Sequence, residues 1–160
     1  MTGRSDESPV IEGHSIMRIL PHRYPVLLVD RVLSCSPGGE ITGLKSVTAC
    51  DPLLSATEKS LPHLIVVEAL AQLSVVLAFK SLGVQQSGQE LVFFAGIEEA
   101  KFGRIAGRGD RLMLRSKLQR MRRNIGWFQA TASVDDESVV ALTMIAAVRG
   151  LAPDNDNVVI

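Results

Sequence analysis

A chain of 160 residues and 17.3 kDa has the size of about one domain, and 46% hydrophobic residues exclude a disordered or fibrous chain. Seventeen basic residues balance seventeen acidic ones, which excludes a globally charged binder of nucleic acid or membrane. Two cysteines, Cys35 and Cys50, and three scattered histidines exclude a disulfide scaffold and a structural zinc site, so no metal is expected.

Residues 1–13 read as a loose polar arm without the apolar core of a signal peptide, so reduced thiols and a cytoplasmic location are expected. Ser15 can cap a short helix running to Leu20, which Pro21 stops. Residues 26–34, rich in Val and Leu, predict a strand. Ser36-Pro37-Gly38-Gly39 predicts a turn and 40–48 an antiparallel return, followed by a polar loop at 51–60. The dominant element is a helix over 62–82, with Pro62 suited to its first turn and Gly83 to its C-terminal cap. Its interior is apolar on nearly every face, broken only by Glu68, Gln72 and Ser74, and such a helix is buried. Residues 63–79 would make about 26 Å of helix, close to a membrane span. Glu68 lies inside that run and strand-like sequence flanks it, which favours a core helix wrapped by a sheet over membrane insertion.

After a Gly/Gln/Ser linker at 84–89, strands are predicted at 91–97, 111–121, 125–135 and 138–149, the last two joined tightly through Asp135-Asp136-Glu137. In the last strand the period of two runs through Val140, Leu142, Met144, Ala146 and Val148. The neighbours Val139, Ala141, Ile145 and Ala147 are also apolar, which predicts cover on both faces. Residues 151–160 read as a frayed tail. A hairpin, one long buried helix and then successive antiparallel strands predict a single α+β domain over 14–150, with a strongly curved antiparallel sheet wrapped around the helix.

Charge is uneven despite the zero total. Residues 101–123 hold nine basic residues (Lys101, Arg104, Arg108, Arg111, Arg115, Lys117, Arg120, Arg122, Arg123) against one acid, Asp110. A one-signed patch gathers an anionic partner, while a solvated strand face is the plainer alternative. Aromatic residues make up only 4% and no recognition motif accompanies the patch, so nucleic acid is not expected.

The segment LPHRYPVLLVDRV (20–32) resembles the signature opening of the bacterial beta-hydroxyacyl-acyl-carrier-protein dehydratases, which have the hot-dog fold. VVEALAQ (66–72) resembles that family's central-helix signature, and KSVTACDP (45–52), FFAGIEEAKFGR (93–104) and GDRL (109–112) follow in matching order. The resemblance spans roughly 16–149. It implies the hot-dog fold, elimination of water from a 3-hydroxyacyl thioester, no organic cofactor, an acyl carrier protein as partner, and a homodimer or trimer of dimers. One segment departs from the family. Where the family carries a Gly-His-Phe-Pro motif with its catalytic histidine, residues 53–70 read LLSATEKSLPHLIVVEAL, about three residues short and without that motif.

Within the resemblance, Glu68 stands at the family's catalytic carboxylate. As the lone ionisable residue in the apolar interior of that helix it is expected to be buried, a setting that suits an acid or a reluctant base. His63 stands at a family glycine whose amide steadies the developing oxyanion, a role its own first-turn N–H can fill. Its side chain as a replacement base would need a partner subunit, because five helical steps set it roughly 140° from Glu68. The resemblance further implies substrate contacts at Gln72, Phe93, Phe94 and Gly96. Carrier-protein docking is implied at Arg104, Arg108, Arg111, Arg115, Lys117, Arg120, Arg122 and Arg123. His22, in the opening motif, reads as packing of the first turn. Two other activities suit a chain with Glu68 but no family histidine: a hot-dog thioesterase, and a non-catalytic binder of acyl chains or carrier protein.

Overall fold

A computed structural model describes residues 11–54, 60–83 and 91–149. In chain order the elements are β1 (Ile11–Glu12), α1 (Gly13–Ile16), β2 (Arg31–Cys35), β3 (Glu40–Ser46), β4 (Ser60–Leu61), α2 (His63–Ser81), β5 (Leu91–Phe102), β6 (Ala106–Gly107), β7 (Arg111–Arg122), β8 (Ile125–Val134) and β9 (Glu137–Arg149). The linker expected at 84–89, the tail at 151–160, positions 1–10 of the arm and 55–59 of the loop lie outside the described residues.

Pro62, with φ −55° and ψ 139°, opens α2, and Gly83 closes it in the left-handed conformation that glycine adopts without strain. Between them the apolar run packs against the inner face of β3, β7, β8 and β9. The period of two supplies that face. Leu112 and Leu114 of β7, Phe128, Ala130 and Ala132 of β8, and Val140, Leu142 and Met144 of β9 are all buried. The polar break at Ser74 is satisfied internally: its hydroxyl donates to the Leu70 carbonyl at 2.8 Å and lies 2.6 Å from the hydroxyl of Ser116. A hydroxyl has one proton, so Ser116 is the donor of that pair. By length and composition α2 could cross a membrane, yet most of its side chains are buried within the fold.

The sheet is antiparallel throughout, in the order β1-β2-β3-β7-β8-β9-β5, and β4 pairs with β6 in a separate two-stranded ribbon. A seven-stranded antiparallel sheet around one central helix is the hot-dog arrangement that the resemblance implied. Asp135 and Asp136, both at positive φ, turn β8 directly into β9 as the sequence predicts.

Several boundaries differ from expectation. Ile11 and Glu12 pair with Val32 and Arg31, so the end of the expected arm belongs to the sheet. The short helix begins at Gly13, and Ser15 lies inside it rather than capping it. Strand β2 begins at Arg31 instead of residue 26, because the Val26 carbonyl and the Leu28 amide bond to the side chain of Gln72 and not to a strand. Strand β5 runs on to Phe102, absorbing irregularities between Phe94 and Gly96 and between Ile97 and Glu99. The second face of β9 is covered as expected at Val139 but only half-buried at Ala141, Ile145 and Ala147.

The two thiols differ in environment. Burial pushes the Cys35 thiol up, against a smaller lowering by Lys80, whereas Cys50 is exposed. Alkylation needs the thiolate and access to it. Iodoacetamide on the native protein should therefore label Cys50 while Cys35 stays largely unmodified, and unfolding in urea should expose both. Peptide mass spectrometry reads the two sites, and equal native labelling would contradict the environment of Cys35.

Candidate active site

Leu64, Glu68, Ala71 and Val75 follow one another at helical spacing along the face of α2 that the chain covers least. Leu64 is 74% exposed, and the Glu68 side chain is 45% exposed. The burial expected for Glu68 is thus only partial. The sheet packs against the opposite side of the helix and leaves the carboxylate opening outward.

One turn on, Gln72 is buried and makes three hydrogen bonds inside the chain. Its Oε1 accepts from the Leu28 amide at 2.9 Å, and its Nε2 donates to the Val26 carbonyl at 2.7 Å and to Glu68 Oε1 at 2.9 Å. These bonds make Gln72 a clamp within the chain. Gln72 ties the 20–30 segment to the helix and fixes the rotamer of Glu68.

That segment carries His22 to the carboxylate. His22 Nε2 lies 3.4 Å from Glu68 Oε1, and its side chain is 32% exposed. Its Nδ1 is buried without a hydrogen-bond partner. The Arg23 guanidinium secures the backbone here by donating to the Leu20 and His22 carbonyls at 2.9 and 2.7 Å. Sequence reasoning assigned His22 to packing and missed this meeting. The available signal was Gln72, a polar residue four positions from Glu68 on a buried helix, which requires polar backbone from a segment that is not paired in a sheet.

His63 is directed elsewhere. Its Nε2 is 3.2 Å from the Arg104 carbonyl and its ring stacks at a tilt on Phe102, with centroids 5.2 Å apart. Its backbone amide belongs to the first helical turn, which has no intrahelical acceptor. Phe93 and Phe94 are half-exposed on β5, the edge strand of the sheet, with the Arg149 guanidinium 5.4 Å from the centre of the Phe93 ring. At Gly96 an added Cβ would meet nothing within 4 Å, so this position is open.

The basic stretch divides by structure. Arg111, Arg115 and Lys117 alternate with buried residues along β7 and project together from its outer face. Arg120 lies 3.9 Å over the Trp127 ring, and Arg122 and Arg123 are exposed where β7 turns into β8. Arg104 is less available, being paired with Asp110 at 2.9 Å and Glu137 at 3.6 Å. Arg108 and Arg111 flank an open cleft with Thr48 and Asp110 that includes none of Glu68, His22 or His63. Among the described residues no group of His, Cys, Asp and Glu is arranged to hold a metal ion.

Comparison with known proteins gives the arrangement a context. A family model described as the FabA-like domain matches residues 20–143. The chain is 36% identical over 151 residues to the 3-hydroxyacyl-[acyl-carrier-protein] dehydratase FabZ of Shewanella loihica, covering 92% of this chain and 99% of that protein. It is 37% identical over 142 residues to the enzyme of the same name from Polaromonas naphthalenivorans, covering 87% and 98%. Among solved structures it is similar in fold to the dehydratase heterocomplex ApeI:P from Xenorhabdus doucetiae. There the TM-score is 0.68 at 19% identity, over 84% of this chain and 91% of that one.

Proposed function

Because the chain belongs to the FabA-like domain family, we propose that it eliminates water from a (3R)-hydroxyacyl thioester on an acyl carrier protein, giving the trans-2-enoyl thioester. The observation that carries this reading is Glu68, a half-exposed carboxylate on the open face of α2, held in one rotamer by Gln72. Elimination needs a base for the proton beside the thioester carbonyl, an acid for the departing hydroxyl and an N–H for the enolate-like oxygen. Glu68 supplies one proton-transfer group, and the His63 amide at the helix start supplies the oxyanion donor.

Other features fit the same activity. The half-exposed Phe93, Phe94 and Ile97 on β5, the edge strand among the described residues, suit an acyl chain and a second copy of this chain. Gly96 leaves room beside them. The outward row Arg111, Arg115 and Lys117, extended by Arg120, Arg122 and Arg123, suits an acidic carrier protein in a cytoplasmic setting.

The test presents the purified chain with 3-hydroxyacyl and enoyl thioesters on carrier protein, following enoyl absorbance and free thiol together. Enoyl formation is expected, with kcat reduced about 10²–10⁴-fold in Glu68→Gln. Thiol release without enoyl would make the chain a thioesterase. Silence in both channels with carrier protein still bound would make it a binding protein.

A further inference from the structure

The elimination proposed above needs two proton-transfer groups, and the sequence has no histidine between residues 23 and 62, where the family resemblance places one. We propose that His22 is the second group, removing the C2 proton while Glu68 of the same chain protonates the departing hydroxyl. This assignment rests on the dehydratase reading.

Of the three histidines, His14 reaches toward Arg18 at 3.5 Å and His63 toward the Arg104 carbonyl. His22 alone is at Glu68, with Nε2 3.4 Å from Oε1. That separation exceeds a strong hydrogen bond, yet it keeps both groups within reach of adjacent substrate carbons. Nε2 is the ring nitrogen turned toward Glu68, while Nδ1 is buried with no partner among the described residues, where a purely structural buried ring nitrogen would ordinarily be satisfied. Its placement is fixed from both sides. Arg23 bonds the His22 carbonyl, and Gln72 ties the same segment to the helix that carries Glu68.

The step balances within the pair. His22 accepts the C2 proton, the freed electron pair forms the C2–C3 double bond, and the C3–O bond breaks. The oxygen leaves as water with the proton from Glu68. An imidazolium then faces a carboxylate, and transfer of one proton between them restores the starting state without any co-reactant.

The test uses the full chain with His22→Ala, His22→Gln and Glu68→Gln, each checked first by thermal melting. In the folded variants kcat is expected to fall about 10²–10⁴-fold. Added imidazole should restore part of the turnover of His22→Ala and none of that of Glu68→Gln. If the alanine variant does not fold, the glutamine variant decides by its turnover. Wild-type turnover in a folded His22 variant would overturn the assignment, as would a loss in folded His22→Ala that imidazole leaves untouched. A wild-type chain that forms no enoyl thioester would overturn the dehydratase reading itself, and the assignment with it.

Discussion

Replacing Gln72 by leucine is expected to destabilise the fold by about 2–4 kcal/mol and to slow turnover. The leucine fits an apolar helix and removes no packing volume of consequence. What it removes is the partner of a buried backbone amide, that of Leu28, together with the donors to the Val26 carbonyl and to Glu68. A buried donor left unmade costs about 1–3 kcal/mol, and the partly buried carbonyl adds to that. For a chain of this length the loss corresponds to a fall in Tm of roughly 5–15 °C. Activity should drop further than stability explains, because Glu68 loses its rotamer and the 20–30 segment that holds His22 loses its tie to the helix. Gln72→Glu sharpens the argument. Its carboxylate can still accept from Leu28 but, when ionised, donates nothing and stands beside Glu68. Burial raises its folded-state pKa above the unfolded value. The destabilisation should therefore be full at high pH and shrink as pH falls through that raised value. Urea melts across pH read this directly, and a pH-independent loss equal to that of leucine would contradict the clamp.

The same residue marks where sequence reading succeeds and stops. Helix α2 was legible because an apolar run between Pro62 and Gly83 carries its own start, stop and burial signal. Strands β7, β8 and β9 were legible because alternation at period two is local. Gln72 was visible only as a polar break, and what it bonds lies 44 and 46 residues away. Residues 26–34, rich in Val and Leu, read as strand from their first residue for the same reason, since propensity says nothing of a side chain that takes the place of a neighbouring strand. The β4–β6 ribbon went unseen because two residues have no period. In the site, the family resemblance marked Glu68, while His22 was hidden in a loop whose long-range contact no spacing encodes. The half-exposure of β9's outer face was also out of reach, because apolar residues on both faces do not reveal what covers the second.

Lys45→Met is expected to cost the fold about 3–5 kcal/mol, among the largest effects of any single substitution in the chain. The side chains of Lys45 and Asp51 are only 8% and 7% exposed, and Nζ meets Oδ2 at 2.6 Å. Each ion has a further bond: Nζ donates to the Ser46 carbonyl at 2.9 Å, and Asp51 Oδ1 accepts from the Leu53 amide at 3.1 Å. Methionine matches the length of the lysine stem, so the loss isolates the charge. It leaves the Asp51 carboxylate buried with the Leu53 amide as its partner among the described residues, and desolvation of an unpaired ion outweighs what packing returns. Asp51→Leu should cost a similar amount by stranding the ammonium. The double variant should be more stable than either single, because an apolar pair of similar volume removes both desolvation costs at once. A denaturant double-mutant cycle measures the difference. The pair also holds the end of β3 to the 51–54 segment, the last described stretch before β4 and the start of α2. The single variants should therefore slow turnover, and the double variant should recover it along with stability. Additive losses in the cycle would mean the two charges do not depend on one another, and that the path into the helix is set by the β4–β6 ribbon instead.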